Sequence, residues 1–404
     1  MLKKNESIEQ SRRRQRFNAH DTSYSSSNSQ RIRIDINSSE EWLDFENSYL
    51  VFDLSVAGAT TQVGLNGYVA SSWIKEVRVK DRAGNLIGEN IQDYSVLARE
   101  HFEMTSSTDQ EASYLDVTEG ASGVALATAT SIAAKQYAHR FITHIFALKN
   151  YFPAALLGGI QIEIDMNSSG DVVRQTSGET GASYTIANLA YVCDMVKLKP
   201  EVESMVLQQV QNGGLVIDYV SHHTIKGSVT TNGTQRFDLG TINGRVKSLK
   251  AIQVATKANQ SVDEKDTFTR NDTTNYRFKL GSKYLTESEV EVSAARQAEY
   301  LMEYLKASKL TCEPNGLYGK AALTPAVFLA SKFVIAQNVD RSKTDQILSS
   351  LKDKDHNRLE LELKYGGSQA AATLYVFAAI DKRMVIFPGK QHRDDDFSNQ
   401  GTMM

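Results

Sequence analysis

The side chains best able to do chemistry are a few histidines and aspartates, and they form no recognisable site. His139 and His144 are five residues apart on or near a predicted strand, which places them on opposite faces with no third metal ligand nearby. The adjacent His222 and His223 also point apart on a strand. A run of three aspartates begins at Asp394, and we expect it to be an exposed acidic tail segment rather than a cation site.

Two pairs of carboxylates, Glu163 with Asp165 and Glu360 with Glu362, lie on the polar faces of alternating strands. We expect them to be solvated or to lie between subunits rather than to act as an acid and a base. The motifs of serine hydrolases, P-loop NTPases, dinucleotide-binding folds and zinc peptidases are absent from the 404 residues. The sequence therefore predicts no catalytic, cofactor-binding or metal site, and we expect the chain not to be an enzyme.

A basic cluster lies near the start of the chain. Residues 1–33 carry eight basic and three acidic side chains, a net charge of +5, although the whole chain has a net charge of −3. Few apolar residues occur here, so we predict a flexible basic arm at residues 1–30. Its arginines could contact nucleic acid, an anionic membrane surface or a neighbouring subunit, and the alternative is a solvated tail. The arginines in question are Arg12, Arg13, Arg14 and Arg16.

Length and composition predict two domains of roughly 200 residues each. The hydrophobic fraction of 41% is sufficient for full cores, and no apolar run reaches the length of a membrane-spanning helix. The first residues lack the apolar region of a signal peptide, so we expect an intracellular product that is not secreted. Cys193 and Cys312 are far apart in the sequence and are expected to be free thiols.

Residues 141–166 contain the clearest strand pattern. They predict an apolar strand, a turn at Pro153 and then Ile160–Met166, in which apolar and polar residues alternate with the period of a half-buried strand. A helix that begins near Pro200 and ends at Gly213 and Gly214 separates two strand-rich halves. The predicted organisation is an arm at 1–30, a β-domain at 31–198, a linker helix at 199–213, a second β-domain at 214–390 and a loose tail at 391–404.

Four predicted elements recur in the same order about 200 residues later, which indicates an internal duplication. The pairs and their offsets are Tyr94 with Tyr300 at 206, Phe141 with Phe333 at 192, Ile160 with Leu359 at 199 and Tyr184 with Thr373 at 189. Each half has roughly eight candidate strands and long connections, which favours a β-sandwich over a closed barrel or a βαβ fold.

Several of these segments resemble the double jelly-roll major capsid proteins of tailless icosahedral double-stranded DNA viruses. Residues 148–164, with Pro153 before the alternating strand, are similar to a Pro-Leu-containing stretch late in the first roll of that family. Two hairpin-then-helix segments, at 77–104 and 278–306, are similar to the helices that this family carries after the fourth strand of each roll. The helix at 200–211 is similar to the helix between its rolls. In its size and general sequence pattern the chain is most similar to capsid proteins of polinton-like viruses, virophages and related phages. The fold implied is all-β, with two tandem eight-stranded jelly rolls, short helical insertions and an inter-domain helix.

The resemblance implies a homotrimer whose six rolls form a pseudo-hexagonal tile of an icosahedral virion shell around the DNA genome. Penton and minor capsid proteins are the implied partners, and the protein would be made in the host cytoplasm or nucleus. The four arginines would then lie on the inner side, against an internal membrane, the genome or a neighbouring trimer. Exposed aromatic side chains are predicted to meet other subunits. The candidates are Trp42, Phe45, Trp73 and Phe152.

Two other classes of protein are compatible with a β-sandwich. A receptor- or carbohydrate-binding virion or spike protein would usually show clustered aromatics or Asp/Asn-rich loops at one end, whereas the loops at 105–135 and 167–181 consist mostly of small residues. A cupin-type enzyme requires two histidines two residues apart followed by a glutamate and a third histidine. None of the eight histidines supplies that spacing.

Overall fold

The computed structural model contains two β-sandwiches joined by a helix. It describes residues 8–28, 31–38, 40–60, 62–88, 90–127, 129–175, 181–230, 232–240, 242, 245–256, 267–308, 324–340, 351–352, 358–389 and 391–395.

In the described residues the first half has twelve strands and the second half has eleven. Those of the first half are β1 Glu9–Asn18, β2 Ser23–Ser25, β3 Arg31–Ile36, β4 Trp42–Ala57, β5 Val63–Leu65, β6 Ile74–Asp81, β7 Ile91–Gln92, β8 Val124–Ala127, β9 Ile132–His139, β10 Ile160–Met166, β11 Val173–Gln175 and β12 Ser183–Leu198. Those of the second half are β13 Leu215–Val229, β14 Thr234–Asp238, β15 Arg245–Ala255, β16 Thr273–Leu280, β17 Lys283–Tyr284, β18 Val290–Glu291, β19 Val334–Asn338, β20 Leu351–Lys352, β21 Leu359–Tyr365, β22 Ala372–Phe387 and β23 Gln391–Asp395.

Short helices lie between the strands. The α-helices are α1 Val69–Ser72, α2 Tyr94–Thr105, α3 Thr108–Glu111, α4 Tyr114–Thr118, α5 Ala154–Leu157, α6 Ser169–Val172, α7 Pro200–Gly213, α8 Gln297–Ala307 and α9 Pro325–Ser331. Two 3₁₀ helices span Ser26–Asn28 and His144–Ala147. Helix α7 joins the halves, with Pro200 in its first turn and Gly214 after its last residue.

Eight strands of each half form the same pair of sheets. In the first half the spatial orders are β1-β12-β4-β9 and β3-β10-β6-β7. In the second half the order β13-β22-β15-β19 matches the first sheet, and β14-β21-β16, with β18 paired to β16, matches the second. If the eight shared strands of each half are numbered 1 to 8 along the chain, the two sheets of both halves have the strand orders 1-8-3-6 and 2-7-4-5. This arrangement is the eight-stranded jelly roll, so the predicted fold class is confirmed, and we call the two copies the first and second rolls.

The prediction of a flexible arm at residues 1–30 is wrong for the described residues 8–28. Strand β1 pairs along its length with β12 and is the first strand of the first roll, which therefore starts at Glu9 and not at residue 31. Phe17 is buried in the core, and β2 pairs with β12 further along. Composition alone indicated disorder because the partner strand of this polar segment lies about 180 residues away in the sequence.

Four further predictions are wrong. Residues 391–395 are not loose, because β23 pairs with β22, while residues 396–404 lie outside the described residues. The apolar segment after Phe141 is not a strand but contains the 3₁₀ helix His144–Ala147. The strand that corresponds to β19 is β9, which precedes Phe141, so Phe141 and Phe333 are not equivalent residues. Residues 105–135 include α3, α4, β8 and the start of β9, so they are not one long loop.

The alternating strands predicted at Ile160–Met166 and Leu359–Tyr365 are confirmed as β10 and β21. Their central carboxylates are not solvated as predicted. Glu163 is buried, and its carboxylate lies 2.9 Å from Lys80 Nζ and 3.2 Å from Arg33 Nε. Glu362 is likewise buried, 2.9 Å from both Arg236 Nε and Arg277 Nη2.

Long basic side chains from the two flanking strands thus cover a central glutamate in each roll. Burial by itself raises the pKa of Glu362, but hydrogen bonds from Arg277 and Arg236 outweigh it and hold this pKa below its ordinary value. A carboxylate with a lowered pKa stabilises the fold above its unfolded-state pKa. That contribution is lost as the pH falls through the folded-state pKa.

Glu362→Gln is expected to destabilise the protein by about 1–3 kcal/mol at pH 7, because it removes the negative charge and turns one of the two acceptor oxygens of the guanidinium groups into an N–H donor. Glu360→Gln is the matched control two residues away on the same face, where the pair with Lys279 is partly exposed at 3.5 Å. We expect less than about 1 kcal/mol for the control. Urea unfolding of the two variants measures the difference, and equal losses would contradict the role given to Glu362.

The four aromatic side chains predicted to meet other subunits are all buried within the chain. Trp73 is fully buried against Phe52, with ring centroids 5.2 Å apart, and Phe45 and Phe152 pack together at 5.3 Å. Trp42 lies in a small cluster with Val196 and Leu198 at the start of the linker helix. These four side chains are therefore not available for contact with other subunits.

Candidate assembly surfaces

The histidines examined as metal ligands serve the packing of the chain. His139 is fully buried on β9, where its ring nitrogens lie 2.9 Å from the Tyr94 hydroxyl and 2.8 Å from the Glu119 carboxylate. His144 lies in the 3₁₀ helix, not on the strand of His139. Within the described residues no group of three or more His, Cys, Asp or Glu side chains could hold a metal ion.

Two other expectations from sequence concern single residues. Cys193 is a buried free thiol whose pKa burial raises to about 12, while Cys312 lies outside the described residues. Asp394 does not point freely into solvent, because its carboxylate accepts a hydrogen bond from the backbone N–H of Gly88 at 2.6 Å. None of the helices in the described part of the chain is long and apolar enough to cross a membrane.

The four arginines of the predicted arm lie on β1, and each donates to an acceptor within the chain. Arg12 contacts Asp44 at 2.8 Å, Asp194 at 3.4 Å and Glu9 at 3.0 Å. The other three contacts are Arg13 with Glu41, Arg14 with Asp194 and Arg16 with the carbonyl of Asn188. The side chains of Arg13 and Arg14 remain 57% and 63% exposed, so β1 still presents basic groups to solvent.

The two rolls meet in an interface that is rich in charged groups. Buried Glu100 of α2 accepts hydrogen bonds from Lys250 Nζ and from the Tyr304 hydroxyl, both at 2.8 Å. Glu103, one turn further along α2, lies 2.7 Å from Lys332 Nζ. The second roll supplies the cations and the first roll supplies the carboxylates, so the contact is electrostatically complementary.

A second part of the interface connects β13 to the segments around β7 and the 3₁₀ helix. The Lys226 ammonium lies 2.6 Å from Asp93, and the Thr224 hydroxyl donates to the carbonyl of Gln92 at 2.8 Å. His222 Nδ1 is 2.6 Å from the Thr143 hydroxyl. None of these pairs is evident from the sequence, because each joins residues that are distant in sequence. They lie on elements whose local pattern indicates only an ordinary helix or strand.

Two histidines near this interface are held neutral. Burial lowers the pKa of His101 to about 4 against the opposing charge of Glu100, and burial together with Lys250 lowers the pKa of His222 to about 3. In the unfolded chain both histidines become protonated as the pH falls below about 6.5, whereas in the folded chain they become protonated only at a lower pH. Their contribution to stability is therefore complete above pH 6.5 and falls as the pH decreases towards 4.

Acidification is expected to weaken the fold by about 2 kcal/mol for each of these histidines at pH 5 relative to pH 7. Thermal unfolding at several pH values measures the effect. The stability of His222→Gln should have a shallower pH dependence than that of the wild type, because the variant lacks this titrating group. If His222→Gln and the wild type have the same pH dependence, the neutral state assigned to His222 is wrong.

An open groove of about 900 Å³ lies on the first roll. Tyr49 and Val51 of β4 and Ala138 of β9 line it together with the end of α2, the α3–α4 segment and residues 140–149. Its lining is predominantly apolar. Tyr114 and Val117 of α4, on the same side, are 55% and 66% exposed, which are high values for large apolar side chains. The predominantly apolar lining and the exposed apolar side chains beside it suit a protein–protein contact.

A smaller apolar surface lies at the linker helix. Met205 and Leu207 of α7 are 67% and 43% exposed, and the nearby Val216 and Ile8 are 44% exposed each. The backbone carbonyl of Ile8 accepts a hydrogen bond from the N–H of Lys199, so the start of β1 and the start of α7 are adjacent.

No family model matches the sequence, and no curated protein matches it. Solved structures do match, over nearly the whole chain. The Faustovirus major capsid protein has a TM-score of 0.65 at 7% identity, with 96% of this chain and 92% of that one covered. The PBCV-1 virus capsid gives 0.63 at 11% identity, with 97% and 98% covered. The mavirus major capsid protein gives 0.52 at 12% identity, with 100% and 95% covered.

At these identities the shared property is the fold. The chain has a double jelly-roll architecture, the class that the duplicated sheet order defines. The particular structures that are similar to it over nearly their whole length are the PBCV-1 virus capsid and the major capsid proteins of Faustovirus and mavirus. The fold predicted from the duplication and from the resemblance is therefore confirmed.

Proposed function

We propose that this chain is the major capsid protein of a tailless icosahedral double-stranded DNA virus. The observation that carries the proposal is the pair of equivalent jelly rolls, which matches solved capsid proteins over at least 92% of both chains. A chain with two equivalent rolls can form a six-sided tile from three copies, because each copy supplies two similar blocks. The proposed unit is a homotrimer, and the tiles would form the virion shell around the genome.

The remaining partners follow from this role. A closed shell needs pentons at its vertices, so penton and minor capsid proteins are proposed as partners. The arginines of β1 are proposed to contact an internal membrane, the genome or a neighbouring trimer. They lie on a strand of the first roll and not on a flexible arm. The protein would be made in the host cytoplasm or nucleus, would not be secreted, and would act without catalysis.

The mass of the purified protein in solution tests the proposed homotrimer. Light scattering is expected to give three times the 44.8 kDa of one chain. A glycan array probed with the same sample tests the alternative of a receptor- or carbohydrate-binding virion protein. A strict monomer that binds glycans would overturn the capsid proposal, whereas a stable trimer without glycan binding supports it.

A further inference from the structure

The outer face of the β1-β12-β4-β9 sheet, which points away from the core of the first roll, is apolar at its centre. The strand register places Asn18, Ala190, Val51 and Ala138 in one row across the four strands, and residues paired in this way share a face. Val51, Ala190 and Val192 form a cluster separate from the main core, with Tyr49 packed against it. Apolar side chains on both faces are typical of a sheet that is covered on both sides.

The equivalent face of the second roll is covered within the chain. There the register places Thr224, Phe377, Lys250 and Ala336 in one row across β13, β22, β15 and β19. The first roll contacts this row, since Gln92 accepts a hydrogen bond from Thr224 and Glu100 binds Lys250. Phe377 and Ala336 are 1% and 0% exposed.

The two rolls therefore differ in what covers the same face. The outer face of the second roll is covered by the segment from β7 to α2, which belongs to the first roll. On the first roll, the part of the face formed by β4 and β9, with Tyr49, Val51 and Ala138, lines the open groove. The segment of the second roll that corresponds to β7 and α2 runs from β18 to α8, and within it Arg296, Glu299, Met302 and Lys306 are exposed.

We propose that the groove of the first roll receives the β18–α8 segment of a second copy of this chain. The inference rests on the proposed function and names the surfaces through which the copies join. The contact repeats between chains the packing that already exists within one chain. Because the groove and the β18–α8 segment are different surfaces, the contact is heterologous. Copies joined in this way close into the proposed trimer when successive copies are related by a rotation of about 120°. Met302, which is 45% exposed on α8, is the apolar side chain offered to the groove.

Two blocking variants test this arrangement. Ala138→Arg blocks the groove, and Met302→Arg blocks the helix; each alone is expected to reduce the mass in solution from the trimer to the 44.8 kDa monomer. An equal mixture of the two retains one intact groove and one intact helix, so it is expected to form dimers and no trimers. Asn232→Arg, at an exposed turn position of the second roll outside the proposed contact, is the control and should remain trimeric.

The outcomes separate the inference from the proposed function. A wild type that is monomeric at all concentrations overturns the proposed function, and the inference with it. Folded variants that form trimers as the wild type does overturn the inference alone. A photo-crosslinking residue at the exposed Gln136 gives a readout that does not depend on the blocking variants. Crosslinks within the wild-type trimer are expected to join it to residues 291–308 of another copy, and crosslinks only to other segments would overturn the inference.

Discussion

Deletion of residues 1–18 is expected to lower the unfolding midpoint by about 10 °C or more, or to abolish soluble protein. The deletion removes β1, which exposes the paired edge of β12 and removes Phe17 from the core. It also removes Arg12 from the buried carboxylates of Asp44 and Asp194. Breaking a buried pair by removing one partner costs about 3–5 kcal/mol, which is a large part of the typical stability of a folded domain.

The control is deletion of residues 1–7, which leaves every residue pair of β1 with β12 in place. Thermal unfolding followed by circular dichroism compares the two truncations with the full chain. If the 1–18 deletion unfolds at the wild-type temperature, β1 is dispensable and the segment behaves as the flexible arm that its composition indicated.

Glu100→Ala is expected to destabilise the protein by about 3 kcal/mol or more, because it leaves Lys250 and the Tyr304 hydroxyl without their shared acceptor at the interface of the two rolls. Adding Lys250→Met to this variant removes the unpaired cation and should restore part of the loss. Glu287→Ala, at an exposed glutamate between β17 and β18, should change the stability by less than about 0.5 kcal/mol.

Urea unfolding of the wild type, the Glu100→Ala and Lys250→Met single variants and the double variant forms a complete cycle, from which the coupling energy between Glu100 and Lys250 is obtained. We expect a coupling of more than about 1 kcal/mol. A coupling near zero would show that the two side chains act independently, and it would contradict the contribution given to this pair.

Much of the fold is encoded locally. The alternation in Ile160–Met166 and Leu359–Tyr365 predicted β10 and β21, and the proline and glycines around residues 200–214 marked α7. Both signals arise from short-range geometry: a strand alternates its faces, and a helix begins and ends with characteristic residues. The duplication could be found because loops of different length change the spacing but not the order of such elements.

The parts that could not be predicted depend on partners distant in sequence. β1 is polar along most of its length and becomes a strand because β12 offers it a backbone edge and Asp194. Glu163 belongs to a polar strand face, yet it is buried because basic side chains of β3 and β6 cover it. Glu100 lies on the second-roll side of α2, and no local pattern distinguishes a glutamate facing another domain from one facing solvent. The groove could not be predicted either, because its lining residues come from segments that are distant in sequence.

Electron cryomicroscopy of the purified protein under assembly conditions tests the capsid proposal most directly. The proposal predicts closed icosahedral shells built of pseudo-hexagonal tiles, each tile containing six jelly rolls from three copies of the chain. A protein that remains monomeric and forms no shells at any concentration, salt or pH, while keeping its folded circular dichroism spectrum, would contradict it.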